Sequence, residues 1–161
     1  MQEIREAVKT PATHIKLWEN LSIETLGPTY YKDYLVPLYK QILEIMNKAG
    51  KRLHVHYDGQ LEAISQDIAV LDIDGIDSFT EAPEGNMTTG QAREIWPDKF
   101  LWQNINLGWY EMPREKLKSN IERVIREAEN KRQCLMISEE VPQNCQETVP
   151  FVLETLSSLK G

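Results

Sequence analysis

The sequence is poor in cysteine and has no long hydrophobic run. Cys134 and Cys145 are its only cysteines among 161 residues, and their spacing does not match a metal-binding motif, so a disulfide framework is not expected. No apolar stretch approaches the roughly 20 residues that cross a bilayer, and the first ten residues contain no apolar segment of the signal-peptide kind. These absences predict a cytoplasmic protein that makes no membrane contact.

Positive charge is also scarce. The chain carries 18 Lys and Arg against 25 Asp and Glu, a net charge of -7, and neither sign forms a block. A nucleic-acid surface needs a concentrated basic patch, so we expect no nucleic acid among the partners. The length and the 41% content of hydrophobic residues suit one globular domain that spans residues 1–161.

Short apolar runs alternate with amphipathic helical patterns along the chain. The predicted strands cover residues 14–21, 52–58, 75–81, 100–106 and 134–138. The predicted helices cover approximately residues 31–49, 60–71, 91–96, 113–130 and 146–159. This alternation predicts an α/β fold of parallel strands joined by right-handed crossovers, with the ligand site at the carboxyl ends of the strands. Five strands do not close an eight-stranded barrel, so the sheet is either open or part of a barrel.

One predicted strand, RLHVHYD at residues 52–58, carries polar side chains at alternate positions. His54, His56 and Asp58 share one of its faces, and apolar residues occupy the other. Other predicted strands also end in polar residues, namely Glu19, Asn20, Glu81, Gln103, Asn104, Asn106, Ser138, Glu139 and Glu140. Because buried polar groups need partners, we expect a site at this rim. The alternatives are hydrogen-bonded core histidines and solvated loop carboxylates.

The chemistry of these groups leaves two possibilities open. Imidazole and carboxylate ligands suit a divalent ion such as zinc, and they also tolerate iron, nickel or manganese. Without a metal, the same groups form an acid–base set, because histidine titrates near neutral pH. The residue types alone are compatible with both.

Four segments of the chain carry a family resemblance. In order along the sequence, they are PLYKQILEIMNKAGKRLHVHYDG, GIDSFTEAPEGNMTTGQAREIW, FLWQNINL and LMISEEVP. They resemble the carboxyl-terminal half of the uroporphyrinogen decarboxylase superfamily, which also contains corrinoid-dependent methyltransferases, and the resemblance covers roughly residues 18–156. It implies that the five strands form the carboxyl-terminal part of a TIM-type (β/α)8 barrel of about twice this length.

The resemblance also implies a metal site. In the methyltransferase branch, zinc is bound by the His and Cys of a His-x-Cys-Gly motif and by a later Cys. Here HYDG places His56 and Asp58 at the first two positions, and ISEEVP places Glu139 or Glu140 at the third. The implied site is a divalent metal, zinc or similar, held by His56, Asp58 and Glu139. Because carboxylates replace both thiolates, the ligands are harder, which favours a different metal or a different methyl acceptor.

Further roles follow from the same resemblance. The expected catalytic residues are Glu139, Glu140 and Glu81. His54 and Asn104 are the expected contacts of a cofactor, and His54 and Glu81 would also hold the metal ligands in place. The expected partner is a small-molecule substrate, or a corrinoid protein that donates the methyl group.

Two other functions fit the sequence besides a methyltransferase-type enzyme. A non-catalytic or incomplete half barrel would leave two sheet edges unpaired, which favours a homodimer or pairing with a missing amino-terminal half. A uroporphyrinogen decarboxylase-type lyase is the third hypothesis. It fits less well, because a substrate with several carboxylates needs a basic cleft, whereas the predicted rim is acidic.

Overall fold

The computed structural model describes residues 1–129, 132–137 and 142–159. Its strands are β1 (His14–Ser22), β2 (Arg52–Asp58), β3 (Gly75–Phe79), β4 (Phe100–Ile105) and β5 (Gln133–Ile137). All pairings are parallel, in the order β1-β2-β3-β4-β5. The predicted α/β fold is therefore confirmed, because five parallel strands with flanking helices are consistent with part of a TIM-type barrel.

Helices occupy the connections between the strands. They are α1 (Gln2–Ala7), α2 (Ile23–Leu26), α3 (Pro28–Tyr30), α4 (Val36–Lys48), α5 (Ser65–Ala69), α6 (Thr89–Ile95), α7 (Arg114–Glu127) and α8 (Cys145–Ser158). A π-helical turn leads into α4 at Tyr31–Leu35, and 3-10 turns cover Glu62–Ile64 and Leu107–Glu111. Among the described residues, no helix combines the length and the apolarity needed to cross a membrane.

The helices differ from the predicted ones in several places, and the short helices α2 and α3 have no predicted counterpart. The helix predicted over residues 60–71 is a 3-10 turn followed by the five-residue α5. The stretch predicted as one helix over residues 31–49 starts with a π-helical turn, in which the N–H of Val36 donates to Tyr31 O, and Pro37 follows as the second residue of α4. Helix α1 is not predicted from the sequence because it buries only Ile4.

The helices pack against one face of the sheet. Leu53, Val55 and Tyr57 of β2 are fully buried there, together with Met46 of α4 and Ile76 of β3. Their burial follows from the alternation of side chains along a strand, and each buried aliphatic side chain contributes about 1.5–3 kcal/mol. A second, smaller core cluster lies between α7, α8 and the end of β4.

The opposite face of the sheet carries polar and aromatic side chains. We call it the open face and define it by Lys16, Trp18, His54, His56, Asp58, Asp77, Trp102 and Asn104. Trp18 is 65% exposed, whereas His56 is only 1% exposed. In a (β/α) barrel the helices form the outer layer, the other face lines the interior, and active sites lie at the carboxyl ends of the strands. Asp58, the last residue of β2, therefore lies at the end of the open face where a ligand is expected.

An irregularity in β3 changes which residues reach the open face. Ser78 has a φ of 70°, and the register with β4 shifts between Ile76 and Phe79. The left-handed backbone costs a residue other than glycine about 1–2 kcal/mol. The shift moves the side-chain alternation by one residue, so Phe79 packs against Trp96 on the helix side.

Candidate metal site

His56 lies at the centre of a hydrogen-bonded group on the open face. The register of β2 and β3 places it opposite Asp77, and its Nδ1 atom lies 2.6 Å from Asp77 Oδ2. Its Nε2 atom lies 3.3 Å from Asp58 Oδ2, because Asp58 is the next residue of β2 on the same face. The two ring nitrogens of His56 therefore meet two different carboxylates.

Lys16 on β1 holds the first of these carboxylates. Its Nζ donates a hydrogen bond of 2.9 Å to Asp77 Oδ2. Burial alone would raise the pKa of Asp77, but the hydrogen bonds and charges of Lys16 and His56 outweigh burial and lower that pKa. Asp77 is therefore ionised at neutral pH and can only accept, so His56 Nδ1 carries a proton and donates it. In the neutral imidazole, Nε2 is then the unprotonated nitrogen.

Trp18 covers the imidazole of His56. The two rings are stacked, with centroids 4.8 Å apart and an angle of 12° between their planes. Lys16 Nζ lies 3.7 Å from the centroid of the Trp18 ring, which is a cation–π distance. Trp18 thus shields one side of His56 from water and, together with Asp77, fixes the orientation of the ring.

Asp58 is the accessible member of the group. Its side chain is 41% exposed, and the backbone turns immediately after it at Gly59, which has a φ of 71°. A side chain at Gly59 would be strained at this φ, and its Cβ would lie 2.9 Å from Glu24 Oε1. The turn ends β2 at Asp58, and the exposure of the Asp58 carboxylate makes it accessible to an incoming ligand.

His54, a predicted cofactor contact, lies next to the His56 group but outside it. Its Nε2 is 2.7 Å from His14 Nδ1, and its ring meets the edge of Trp102 at a centroid distance of 4.6 Å. Burial, followed by the charge of His14, lowers the pKa of His54. The structure thus places His54 as a neutral residue in a histidine pair towards the amino ends of the strands.

Asn104, the other predicted cofactor contact, is buried on the open face. Its Nδ2 donates to Ser78 Oγ at 2.9 Å and lies 3.4 Å from Thr80 Oγ1. Within the described part of the chain, its Oδ1 atom has no hydrogen-bond partner. Asn104 therefore lies beside the end of β3 with one acceptor atom unsatisfied.

Glu81, a predicted catalytic residue, is not brought to His56. Its carboxylate accepts hydrogen bonds of 2.7 Å from both the N–H and the hydroxyl of Thr89, and it pairs with Arg123 Nη2 at 2.5 Å. The hydrogen bond to Glu81 is the main reason that the pKa of Arg123 is raised. The structure places Glu81 on the helix side, where it ties the end of β3 to α6 and α7, because the shift at Ser78 redirects it.

Two of the predicted site residues, Glu139 and Glu140, lie outside the described residues. In residues 1–129, 132–137 and 142–159, no group of three or more His, Cys, Asp or Glu side chains could hold a metal ion. His56 and Asp58 supply two donor atoms of the predicted set. The third ligand stays a prediction.

Three residues of the His56 group are not predicted from the sequence: Lys16, Trp18 and Asp77. One signal is present for Asp77, because it is the only charged residue in the short strand GIDSF, and a buried charge needs a partner. Lys16 and Trp18 alternate with the apolar residues of β1. This alternation places both on one face of the strand, but it does not show which side chains of the next strand they contact.

Comparison with known proteins identifies the fold. No protein-family model matches the chain, and no curated protein matches it. A solved methyltransferase from Methanosarcina mazei is similar, with a TM-score of 0.70 and 14% sequence identity over 98% of this chain and 45% of that chain. This chain has a methyltransferase-like fold. It spans less than half of the length of that protein, and the likeness concerns the fold alone.

A second solved structure that resembles the chain is a thiamine phosphate pyrophosphorylase from Pyrococcus furiosus. Its TM-score is 0.40 at 16% identity, over 99% of this chain and 90% of that chain. A TM-score this low adds no support to the fold assignment. The assignment of a site therefore depends on the residues of the chain itself.

Proposed function

We propose that this chain is a methyltransferase-type enzyme, or the carboxyl-terminal part of one, with a divalent metal ion bound by His56, Asp58 and Glu139. The methyltransferase-like fold supports the class of enzyme. The proposal includes membership of the uroporphyrinogen decarboxylase superfamily and a methyl group supplied by a corrinoid protein or a methylated small molecule. Glu140 is the alternative third ligand, as the adjacent carboxylate.

The distance between two donor atoms is the observation that carries this proposal. Two ligands bound at 2.0–2.2 Å to one tetrahedral zinc ion lie about 3.4 Å apart. His56 Nε2 and Asp58 Oδ2 are 3.3 Å apart on the open face. Both atoms therefore have the separation expected of two ligands of one ion.

The hydrogen bond between His56 Nδ1 and Asp77 supports the same interpretation. Histidines that bind metals usually donate their other ring N–H to a carboxylate, which fixes the tautomer and the orientation of the ring. Asp77 accepts this hydrogen bond from Nδ1, and Lys16 holds Asp77 in turn. This partner at Nδ1 leaves Nε2, beside the exposed carboxylate of Asp58, as the ring nitrogen that would bind the ion.

The residues of the site have separate tasks in this proposal. When bound, the ion would supply Lewis-acid chemistry that lowers the pKa of a coordinated methyl acceptor. His56 and Asp58 bind, Asp77 and Lys16 orient, and Trp18 excludes water from one side of the imidazole. The carboxylates of Asp58 and a third acidic ligand would balance the two positive charges of the ion.

Two measurements test the proposal. The metal content of protein purified without added metal is measured by elemental analysis, and chelator-treated protein is then titrated with zinc. We expect about one equivalent of metal in the wild type and less than about a tenth in His56→Ala or Asp58→Ala. His14→Ala is the control, because it removes an exposed histidine of the neighbouring strand and should leave the metal content unchanged. Wild-type protein with less than about a tenth of an equivalent, or His56→Ala with wild-type zinc affinity, would exclude the site.

A non-catalytic half barrel is the second candidate function, and the exposure of the open face favours it. Trp18 is 65% exposed, and in the described sheet β1 and β5 each pair with a single strand. Such a chain would bind a second copy or an amino-terminal half barrel. A stable complex formed by metal-free wild-type protein would favour the half-barrel function. A change in absorbance when porphyrinogen is added would instead favour the decarboxylase-type lyase.

A further inference from the structure

Strand β1 contains an irregularity beside His56. Its register with β2 shifts between Leu17 and Leu21, and Asn20 has a φ of 47°. As a result, no residue of β1 is in register with His56, although the residues on both sides of His56 have partners there. A backbone N–H that faces this gap needs an acceptor from elsewhere, because an unsatisfied buried donor is costly.

The side chain of Glu19 provides that acceptor. Backbone N–H groups at alternate positions of a strand point to the same neighbour, and the N–H of Arg52 donates to Thr13 O ahead of β1. The N–H of His56, four positions further along β2, therefore also points towards β1. It donates to Glu19 Oε2 at 3.2 Å, while Glu19 Oε1 accepts from the hydroxyl of Tyr39 at 2.7 Å.

We propose that Glu19 is a positioning residue for His56. Its carboxylate replaces the main-chain acceptor that the irregularity removes from the β1–β2 ladder. It thereby fixes the backbone of His56 and the distance from His56 Nε2 to Asp58. The consequence for metal binding rests on the proposed function, whereas the replaced hydrogen bond does not.

A rigid tyrosine cluster holds Glu19 in place. Tyr39 of α4 packs against Tyr31 and Tyr57, with ring centroids 6.2 and 6.1 Å away, and the hydroxyls of Tyr31 and Tyr57 are 3.1 Å apart. All three tyrosines are 2% exposed or less. The Glu19 carboxylate that accepts from His56 is therefore held by the buried core through Tyr39 of α4.

Three substitutions separate the properties that Glu19 contributes. Glu19→Gln keeps an acceptor, because the amide oxygen can face His56 while the amide NH2 donates to Tyr39, whose hydroxyl both donates and accepts. Glu19→Met keeps the length but removes the acceptor. Glu19→Asp keeps the charge but shortens the side chain by one methylene. Glu44→Gln is the matched control, because it makes the same change at an exposed carboxylate of α4 that pairs with Lys48.

Amide hydrogen exchange of the full chain, measured by NMR, tests the hydrogen bond directly. The rate at His56 is compared with the rates at His54 and Val55, which are in register with β1 and β3. We expect Glu19→Met and Glu19→Asp to raise the relative rate at His56 at least about tenfold, and Glu19→Gln and Glu44→Gln to change it less than about threefold. Unchanged exchange in Glu19→Asp, or equal acceleration in Glu19→Gln and Glu19→Asp, would overturn the proposal.

Zinc titration of the same variants tests the consequence for the site. We expect the affinity to fall about 10–100-fold in Glu19→Asp and to stay within about threefold in Glu19→Gln. Wild-type protein that binds no zinc would refute the proposed metal site, while the exchange rates would still decide the role of Glu19. If circular dichroism shows that Glu19→Met is unfolded, Glu19→Asp decides the outcome by the same criteria.

Discussion

At the scale of single residues, the hydrogen bond between Asp77 and His56 determines how the imidazole is presented. Asp77→Asn keeps the shape of the side chain but removes the charge that attracts the Nδ1 proton. We expect zinc affinity, measured by calorimetry, to fall about 10–100-fold. Asp72→Asn is the matched control, because Asp72 is a surface carboxylate bonded to Asn47. Equal affinity in wild type and Asp77→Asn would show that the partner of Nδ1 is irrelevant.

Lys16 gives a prediction about the pH dependence of stability. The folded-state pKa of Asp77 is lowered, so Asp77 stabilises the fold above its unfolded pKa of about 3.9 and loses this contribution as the pH falls through the lower folded value. Lys16→Met should therefore reduce the free energy of unfolding by about 1 kcal/mol or less at pH 7. Urea unfolding should show this difference shrinking as the pH falls below about 3.9 and through the lower folded pKa of Asp77. A difference in unfolding free energy that grows at acidic pH would contradict the ion pair between Lys16 and Asp77.

The partners of His56 were only partly predictable from its own strand. Strand periodicity places His56 and Asp58 on one face, and the structure confirms that their side chains meet. Asp77 and Lys16 come from neighbouring strands, and their approach depends on inter-strand register, which periodicity along one strand does not contain. The contact between His56 and Asp58 was therefore predictable, whereas the residues that orient the imidazole were not.

At the scale of elements, β3 shows why periodicity fails at the ends of strands. Counting in twos from Asp77 would place Glu81 on the open face. The left-handed backbone at Ser78 shifts the count, and Glu81 instead pairs with Arg123. Serine rarely adopts this conformation, so nothing in the sequence marks the shift.

The start of β3 gives a prediction about stability. A Cβ at Gly75 would lie 2.5 Å from His54 Nδ1 and 2.8 Å from Phe100 O, whereas a Cβ at Gly90 would meet Glu127 at 3.5 Å, an ordinary contact. We expect Gly75→Ala to cost about 1–3 kcal/mol in urea unfolding. Gly90→Ala, in α6, should be neutral or stabilise by up to about 1 kcal/mol. Equal effects of the two substitutions would contradict the close approach of His54 to β3.

At the scale of the whole molecule, the fold was predictable because each parallel connection contains helical residues. Parallel strands require long crossovers, so the alternation of apolar runs and helical patterns indicates the sheet type directly. The strand order follows the chain order, which is the simplest such arrangement. The short helices α1 and α5 do not change the predicted sheet type, because parallel pairing requires only that each connection is long enough to cross over.

The two sheet edges give a prediction about association. A strand with unpaired backbone groups tends to pair with another chain, and charged side chains on the edge oppose this. We expect light scattering to show a complex at micromolar concentration, and Cys134→Lys on β5 to weaken it. Val70→Lys is the control, because Val70 is 73% exposed but lies outside the strands. A stable wild-type monomer would contradict the half-barrel hypothesis.

The stacking of Trp18 on His56 makes the indole a built-in optical reporter. The imidazole is stacked on this fluorophore, so a metal ion bound to the imidazole would change the surroundings of the indole, which is 65% exposed. Zinc added to the apoprotein should therefore alter the tryptophan emission, and Trp18→Phe should abolish that change although the chain has four tryptophans. Occupancy could then be followed in real time without an external dye.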